Sequence, residues 1–264
     1  MKSEKLRLKR MGVMNITPNS FSDGGELDSP FKITAKFKQF GLIHALDIGA
    51  ESTAPKNDSI NWLDEWSRWQ IILPLLNDFN TPISADTYHP ETIFELVKIW
   101  KDKKIPFELF WNDVSGKFDD FVRDFLKEGP RFHYIFCHNR APTRELCGKH
   151  MDFVTQDEGH LEEEFEDFFR PHLHSKVIFD PCLGFSKTYD ENWYILQYFS
   201  KFQHIIKHER WLLGFSRKSF LRKKYQTEDR EELDKLHQKI LKELIPSSKG
   251  ELWIRTHRPE LFDV

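Results

Sequence analysis

The sequence predicts an α/β protein folded as a single (β/α)8 barrel, the TIM-barrel architecture, and three observations support this prediction. The chain has 264 residues, close to the length of about 250 that is typical of this fold. Eight short runs rich in β-forming residues begin at intervals of very roughly 35 residues, the length of a βα unit. Most runs are followed by a turn and then by apolar residues at helical spacing. We therefore assign residues 1–264 to one domain, with a doubly wound open sheet as the competing architecture.

The elements follow from local patterns. The predicted strands lie at 8–15, 43–48, 82–86, 107–112, 133–138, 176–180, 210–215 and 251–255. Between them, sets such as Ile93, Leu96, Val97 and Trp100 recur on one helical face, and Pro90 suits a first helical position. Segment 222–243, rich in Lys and Glu, predicts a solvated helix. Few residues follow the eighth strand, so the final helix of the barrel is predicted to be shortened or missing.

Composition excludes several classes of partner. The formal net charge is -3, without the basic excess of a nucleic-acid binder. No apolar run is long enough to cross a membrane, and three scattered cysteines suggest neither a disulfide framework nor a CxxC metal site. We expect a cytoplasmic protein that binds small molecules.

Polar residues follow the predicted strands at the point where each one ends. They are Asn15, Asp47 with Glu51, Asp86, Asn112 with Asp113, His138, Asp180, the run 216–218, and Arg255 with His257. The C-terminal ends of all eight strands of a barrel meet at one face, where catalytic and ligand-binding residues lie. The sequence therefore predicts one polar mouth.

The residue types at this mouth suit a planar nitrogen heterocycle and an oxyanion. Asp86, Asp180 and Asn112 offer acceptors and an amide, and Lys218 offers a donor to a lactam edge. Arg255 and His257 offer cations to a phosphate. Taken singly, an Asp followed by Thr or Pro is as often a turn or helix cap as a site residue. The spacing His172-x-His174 is only a weak indication of a zinc site. The residues Trp62, Trp66 and Trp69 recur at helical spacing and are interpreted as part of the core.

Taken together, seven motifs resemble the dihydropteroate synthase family in the order in which that family carries them. They are MGVMNITPNSFSDGG at 11–25, DIGAESTAPK at 47–56, ISADTYHP at 83–90, NDVSG at 112–116, FDPCLGFSKT at 179–188, GFSRKSF at 214–220 and IRTH at 254–257. The resemblance covers residues 11 to 257.

This resemblance implies a Mg2+-dependent condensation of 6-hydroxymethyl-7,8-dihydropterin pyrophosphate with p-aminobenzoate, giving 7,8-dihydropteroate and pyrophosphate. It implies catalytic roles for Asp86, Lys218, Arg255 and His257. The pterin would be bound by Asp86, Asn112, Asp180, Gly184, Phe185, Lys218 and Arg255. Pyrophosphate would be bound by Asn15, Arg255 and His257, with Asn15 also serving the metal. Aminobenzoate would be bound by Phe21, Thr53, Pro55, Phe185 and Ser219, with its carboxylate at a helix N-terminus near Ser219.

The sequence departs from the family pattern at a few positions. Ala54 stands where the family's second loop carries an Arg, and Lys56 is the residue that could compensate. Cys182 occupies the place of a Gly in the sixth strand-end motif. Because few residues follow His257, a homodimer is possible but doubtful.

Two other functions remain open at this stage. A pterin-binding protein that has lost catalysis and acts with another folate enzyme would fit the altered second loop. A pterin-dependent methyl carrier or methyltransferase would share the pterin pocket, but it has no pyrophosphate for the loop TPNSFSDGG to enclose.

Overall fold

A computed structural model describes residues 6–16, 29–51, 60–155 and 160–262 of the chain. Eight parallel strands form a closed barrel in sequence order, and the first strand pairs with the last. They are β1 Arg7–Asn15, β2 Ala45–Gly49, β3 Ile83–Asp86, β4 Leu109–Asp113, β5 Phe132–Cys137, β6 Val177–Asp180, β7 Arg210–Leu213 and β8 Glu251–Thr256. Each overlaps its predicted run, so the barrel prediction is confirmed and the open sheet is excluded.

Ten α-helices lie in the described part of the chain. They are α1 Pro30–Gln39, α2 Trp62–Ile72, α3 Leu76–Phe79, α4 Pro90–Asp102, α5 Asp120–Lys127, α6 Leu161–Phe169, α7 Tyr189–Gln197, α8 Phe199–Ile206, α9 Ser219–Tyr225 and α10 Arg230–Leu244. Pro90 begins α4 as predicted, and Trp69 on α2 is fully buried. None of these helices is long and apolar enough to cross a membrane.

The prediction of one solvated helix over 222–243 is wrong in two respects. Gln226 adopts a left-handed conformation with φ 52°, which ends α9 and separates it from α10. One face of α10 is buried through Leu233, His237 and Leu241. The high Lys and Glu content masked this apolar face, because charged residues occupy the other faces of the same helix.

After β8 the described chain forms a short 3-10 turn, Pro259–Leu261, in place of an α-helix. Phe262 follows this turn and is buried against His237 of α10, with ring centroids 5.1 Å apart. A shortened or missing final helix stays a prediction.

Seven buried side chains from seven different strands form a separate cluster, which we call the barrel plug. Its members are Met11, Ala45, Phe110, Ile135, Ile178, Leu212 and Trp253. Side chains two residues apart on a strand point to the same side. The residues that follow each plug member by two positions therefore lie on the same side of their strands, one layer closer to the C-terminal mouth.

Candidate active site

The two-residue period of the strands explains which polar residues reach the barrel interior. Asp47, Asn112, Cys137, Asp180 and Arg255 each follow a member of the barrel plug by two positions. Asp113 and His138 lie one residue further along and therefore face the helices. Asp113 is buried against Arg144 and Tyr134, and His138 packs on Phe165 of α6.

A cavity of about 790 Å³ opens above this polar layer. It is lined by each predicted site residue that lies in the described part of the chain: Asn15, Asp86, Asn112, Asp180, Gly184, Phe185, Lys218, Ser219, Arg255 and His257. The predicted aminobenzoate residues Phe21, Thr53 and Pro55 lie outside the described residues, as do Ala54 and Lys56. The mouth predicted from strand ends is therefore one continuous site, but Asp47, Asp113 and His138, which were predicted to share it, do not line it.

Arg255 is fixed at the floor of the cavity by two carboxylates. Its Nε donates to Asp47 Oδ2 at 2.6 Å, and its Nη2 donates to Asp86 Oδ2 at 2.5 Å. Burial alone would lower the pKa of the Arg255 guanidinium, but Asp47 and Asp86 outweigh burial and raise that pKa above its usual value. Arg255 therefore stays charged.

Asp47 is the residue that orients this layer, although the sequence analysis gave it no ligand role. It is fully buried, and its Oδ1 accepts hydrogen bonds from Ser84 Oγ at 2.5 Å and from Asn112 Nδ2 at 3.1 Å. Its two oxygens together accept three hydrogen bonds, and Asp47 is absent from the lining of the cavity, so we assign it to orienting the layer rather than to binding the ligand. Its position at the end of β2 was the available signal, but only the contacts show that it holds Arg255 and Asn112.

Burial raises the pKa of Asp86 to about 7, although Arg255 acts in the opposite direction, and the charge of Asp47 adds to the rise. Burial also raises the pKa of Asp180, which is opposed by the Cys182 backbone N–H and by Lys218. Two buried carboxyl groups whose pKa values lie above their usual range are typical of ligand-binding and catalytic sites.

Lys218, Gly184 and Phe185 lie together in the wall of the cavity. Lys218 Nζ lies 4.2 Å from the centre of the Phe185 ring, and burial lowers the pKa of this lysine. Gly184 has φ 83°, and a Cβ built there would come within 3.2 Å of Lys218 Cδ. A side chain at residue 184 would therefore be strained and would push the lysine out of place.

The surroundings of His257 favour a neutral ring over the cation that the sequence analysis expected. Its pKa is lowered well below the usual value by burial and by the charges of Arg217 and Arg255. Its Nδ1 lies 3.1 Å from Ser216 Oγ. His257 would therefore become a cation only if a bound oxyanion raised its pKa by stabilising the protonated imidazole.

The sequence analysis missed several cavity residues, among them Cys137 and His150, whereas it placed Arg217 at a strand end. His150 lies in a 3-10 helix that follows β5, Cys147–Phe153, where no strand-end spacing marks it. Its ring centroid is 4.1 Å from that of Phe185. Arg217 turns to α10, where its Nε and Nη2 bind the Asp234 carboxylate at 2.9 and 2.8 Å.

Sequence comparison identifies the class of protein. The profile of the family described as pterin binding enzyme matches residues 11–255. The chain belongs to this family. The dihydropteroate synthase of Bacillus subtilis is 31% identical to it over 218 residues, which span 80% of this chain and 70% of that protein. The dihydropteroate synthase of Synechocystis is 31% identical over 229 residues, spanning 81% of this chain and 73% of that protein. The resemblance to the dihydropteroate synthases is thereby confirmed.

Solved structures of the same kind share the fold. Dihydropteroate synthase from Thermus thermophilus in complex with 4-aminobenzoate superposes with a TM-score of 0.73 at 21% identity, covering 97% of this chain and 92% of that chain. The enzyme from Anaplasma phagocytophilum with bound 6-hydroxymethylpterin-monophosphate superposes with a TM-score of 0.69 at 24% identity, covering 96% of this chain and 95% of that chain.

Proposed function

We propose that this protein is a transferase of folate biosynthesis that condenses 6-hydroxymethyl-7,8-dihydropterin pyrophosphate with p-aminobenzoate to give 7,8-dihydropteroate and pyrophosphate. The observation that carries the proposal is the convergence of Asp86, Asn112, Asp180, Lys218 and Arg255 on one cavity in a chain of the pterin-binding family. These side chains supply acceptors, donors and a planar cation on the walls of a single pocket.

The pterin is recognised through its hydrogen-bonding edges. Asp180 and Asp86 accept from the amino and ring N–H groups of the pterin, and Asn112 and Lys218 complete the pattern. Arg255 offers its guanidinium plane to the ring, while its edge stays bound to Asp47 and Asp86. Its orientation is fixed before the ligand arrives, so less entropy is lost on binding.

Asn15 and Gly49 provide a place for Mg2+ that fits the chemistry of this ion. A Cβ built on Gly49 would come 3.1 Å from Asn15 Oδ1 and 3.7 Å from Asp86 Oδ2, so the glycine leaves room beside two oxygen atoms. Mg2+ prefers oxygen ligands and is commonly held by one or two protein groups together with substrate phosphates. When bound, the ion would neutralise charge on the leaving pyrophosphate.

The remaining residues act on the two halves of the reaction. As pyrophosphate leaves, positive charge develops on the pterin methylene, and the carboxylates of Asp86 and Asp180 stabilise it electrostatically. Arg255 and His257 bind the phosphates. Phe185 and Ser219 line the cavity, and we assign them to the binding of aminobenzoate. Phe21, Thr53 and Pro55, which lie outside the described residues, stay predicted members of the same pocket.

The proposal is tested by incubating the purified protein with the pterin pyrophosphate, p-aminobenzoate and Mg2+, and measuring dihydropteroate directly. Product that requires all three components is the expected result. Asp180→Asn and Lys218→Met each remove a charged hydrogen-bonding group, worth about 1.5 to 3 kcal/mol. We therefore expect roughly 10- to 150-fold weaker pterin binding. The matched control is Lys224→Met, because Lys224 is exposed and packs on Trp193 outside the cavity.

A pterin-binding protein without catalysis is the alternative, and Ala54 in the second loop is the feature that favours it. Tight pterin binding without dihydropteroate would establish this alternative, and Ala54→Arg would then be expected to restore turnover. Absence of pterin binding would overturn both functions. A cytoplasmic location and a homodimer that is possible but doubtful remain predictions, and size-exclusion chromatography with light scattering tests the second.

A further inference from the structure

Two thiols and a carboxylate lie together on the floor of the cavity, and we call them the thiol cluster. Cys137 ends β5 and pairs in register with Asp180 at the end of β6, while Cys182 follows two residues later. All three residues are buried and line the cavity. Their ligand atoms lie within 4.8 Å of one another, and no other such group occurs among the residues that the structure describes.

The spacing within the thiol cluster suits a tetrahedral soft metal ion. Metal bonds of about 2.3 Å to sulfur and about 2.0 Å to oxygen place tetrahedral S and O ligands about 3.5 Å apart, and two S ligands about 3.8 Å apart. Cys137 Sγ lies 3.6 Å from Asp180 Oδ2. The ligand atoms are thus already close to the separation that such an ion requires, and small side-chain rotations would complete the site.

The backbone around the cluster fixes these positions. Asp180 Oδ1 accepts the Cys182 backbone N–H at 2.7 Å, which directs Oδ2 toward Cys137. Cys182 adopts a left-handed conformation with φ 55°, which turns the chain back so that its thiol approaches Cys137. The cluster is therefore a consequence of strand pairing and one tight turn, rather than of flexible surface side chains.

Neighbouring charges complement an occupied site. Two thiolates and one carboxylate would carry one negative charge more than a dication balances. Lys218 lies close enough to interact electrostatically with Asp180 and Cys182, and Lys187 Nζ lies 3.4 Å from the Cys182 carbonyl oxygen. These two cations offset the excess negative charge of the occupied cluster.

We propose that Cys137, Asp180 and Cys182 bind a thiophilic divalent cation, Zn2+ or Cd2+, and that this binding excludes the pterin. Thiolate ligands select such ions over the oxygen-seeking Mg2+. Three protein ligands leave a fourth position open to water from the cavity. The exclusion of pterin rests on the proposed function, because it requires Asp180 to serve both ligands. The metal site itself does not depend on that function.

Direct binding of Co2+, a spectroscopic substitute for Zn2+, tests the metal site in the whole chain under a phosphine reductant. We expect one Co2+ per chain, a thiolate-to-cobalt charge-transfer band, and displacement by Zn2+. Cys182→Gly and Cys137→Ala should each weaken binding at least 10-fold and diminish the band. Glycine suits the positive φ of residue 182, so the first variant removes the ligand without backbone strain. Cys147→Ala is the matched control, since Cys147 is also buried but lies outside the thiol cluster.

Co2+ bound without the charge-transfer band, or bound equally by Cys182→Gly and wild type, would overturn the metal site. Exclusion of the pterin is tested by titrating 6-hydroxymethylpterin monophosphate into the Co2+-loaded protein. Loss of the band as pterin binds is the expected result, and a band that persists at saturating pterin would refute the exclusion. If no pterin binds to the metal-free protein, the proposed function fails, while the metal site is still judged by the band.

Discussion

At the scale of single residues, the site depends on which polar groups are already satisfied before a ligand arrives. The two carboxylate oxygens of Asp47 accept hydrogen bonds from Arg255, Ser84 and Asn112, so Asp47 orients the side chains of the pocket. Asp180 uses one oxygen on the Cys182 backbone N–H, and its other oxygen meets the Cys137 thiol at 3.6 Å in the wall of the cavity. Two aspartates at equivalent strand ends therefore have different functions because their hydrogen-bonding partners differ.

Another buried carboxyl group, that of Glu65 on α2, lies outside the cavity. It should contribute to the pH dependence of the free energy of unfolding. Its Oε2 accepts from Thr87 Oγ1 at 2.8 Å and from Thr92 Oγ1 at 2.5 Å, but its Oε1 has no hydrogen-bond partner. Burial raises the pKa of Glu65 from 4.5 to about 7. The folded state therefore binds this proton more tightly than the unfolded state does.

We predict that Glu65→Gln removes a pH-dependent contribution to the free energy of unfolding. In the wild type this contribution is fully present below pH 4.5 and is lost as the pH rises through about 7. The difference between wild type and variant should change by up to about 3 kcal/mol across this window, at about 1.4 kcal/mol per pKa unit. Urea unfolding of both proteins at pH 5 and pH 8 measures it. Asp86 titrates in both proteins, so its contribution cancels in the difference between them. A difference in unfolding free energy that stays the same at pH 5 and pH 8 would contradict the prediction.

At the scale of secondary-structure elements, Arg140 joins the loop after β5 to two helices. Its Nε and Nη2 each donate to the Glu164 carboxylate of α6 at 2.7 Å, and Nη2 also donates to Glu191 Oε1 of α7 at 2.5 Å. Arg140 and Glu191 are nearly inaccessible to solvent. The sequence analysis noted no role for this arginine, because its two acidic partners are 24 and 51 residues away along the chain.

We predict that Arg140→Met destabilises the protein by about 3 to 5 kcal/mol, since it leaves Glu191 buried without a counter-charge. Chemical unfolding measures this loss. The matched control is Arg123→Met, which breaks an exposed pair with Asp120 and should change stability by no more than about 0.5 kcal/mol. Equal effects of the two substitutions would show that the Arg140 network contributes no more than a surface pair.

At the scale of the whole molecule, closure of the barrel links the ends of the chain to the binding site. β1 pairs with β8 over six residue pairs, from Arg7 with Glu251 to Gly12 with Thr256. Arg255 on β8 in turn bonds Asp47 on β2 and Asp86 on β3. A ligand that binds beside Arg255, Asp47 and Asp86 contacts strands from both halves of the sequence. Binding should therefore raise the free energy of unfolding of the whole barrel.

We predict that 6-hydroxymethylpterin monophosphate at 100 times its Kd raises the free energy of unfolding by about 2.7 kcal/mol. For a protein of this size, that corresponds to a rise in Tm of roughly 5 to 11 °C, at about 2 to 4 °C per kcal/mol. Differential scanning calorimetry with and without ligand measures the shift. At the same ligand concentration Lys218→Met, with its roughly 10- to 150-fold weaker binding, should lose about half of the shift or more, and Lys224→Met should keep it. An equal shift in both variants would place the ligand outside the cavity.

The sequence by itself determined the number, order and approximate bounds of the eight strands, because β-forming runs and helical apolar stripes are local patterns. It also determined which polar residues stand at the strand ends, and every predicted site residue in the described part of the chain lines the cavity. Phe21, Thr53 and Pro55 remain predictions. The family resemblance carried the ligand assignments that residue types alone left open.

Only the tertiary structure decided which of those polar residues hold the site together and which face it. The burial of one face of α10, the Arg140 bridges, the orienting role of Asp47 and the thiol cluster all depend on contacts between distant parts of the chain. Such contacts arise when strands pair and helices pack, and no local period encodes them. The lowered pKa of His257 has the same origin, because burial and nearby cations act on its ring only after the barrel has closed.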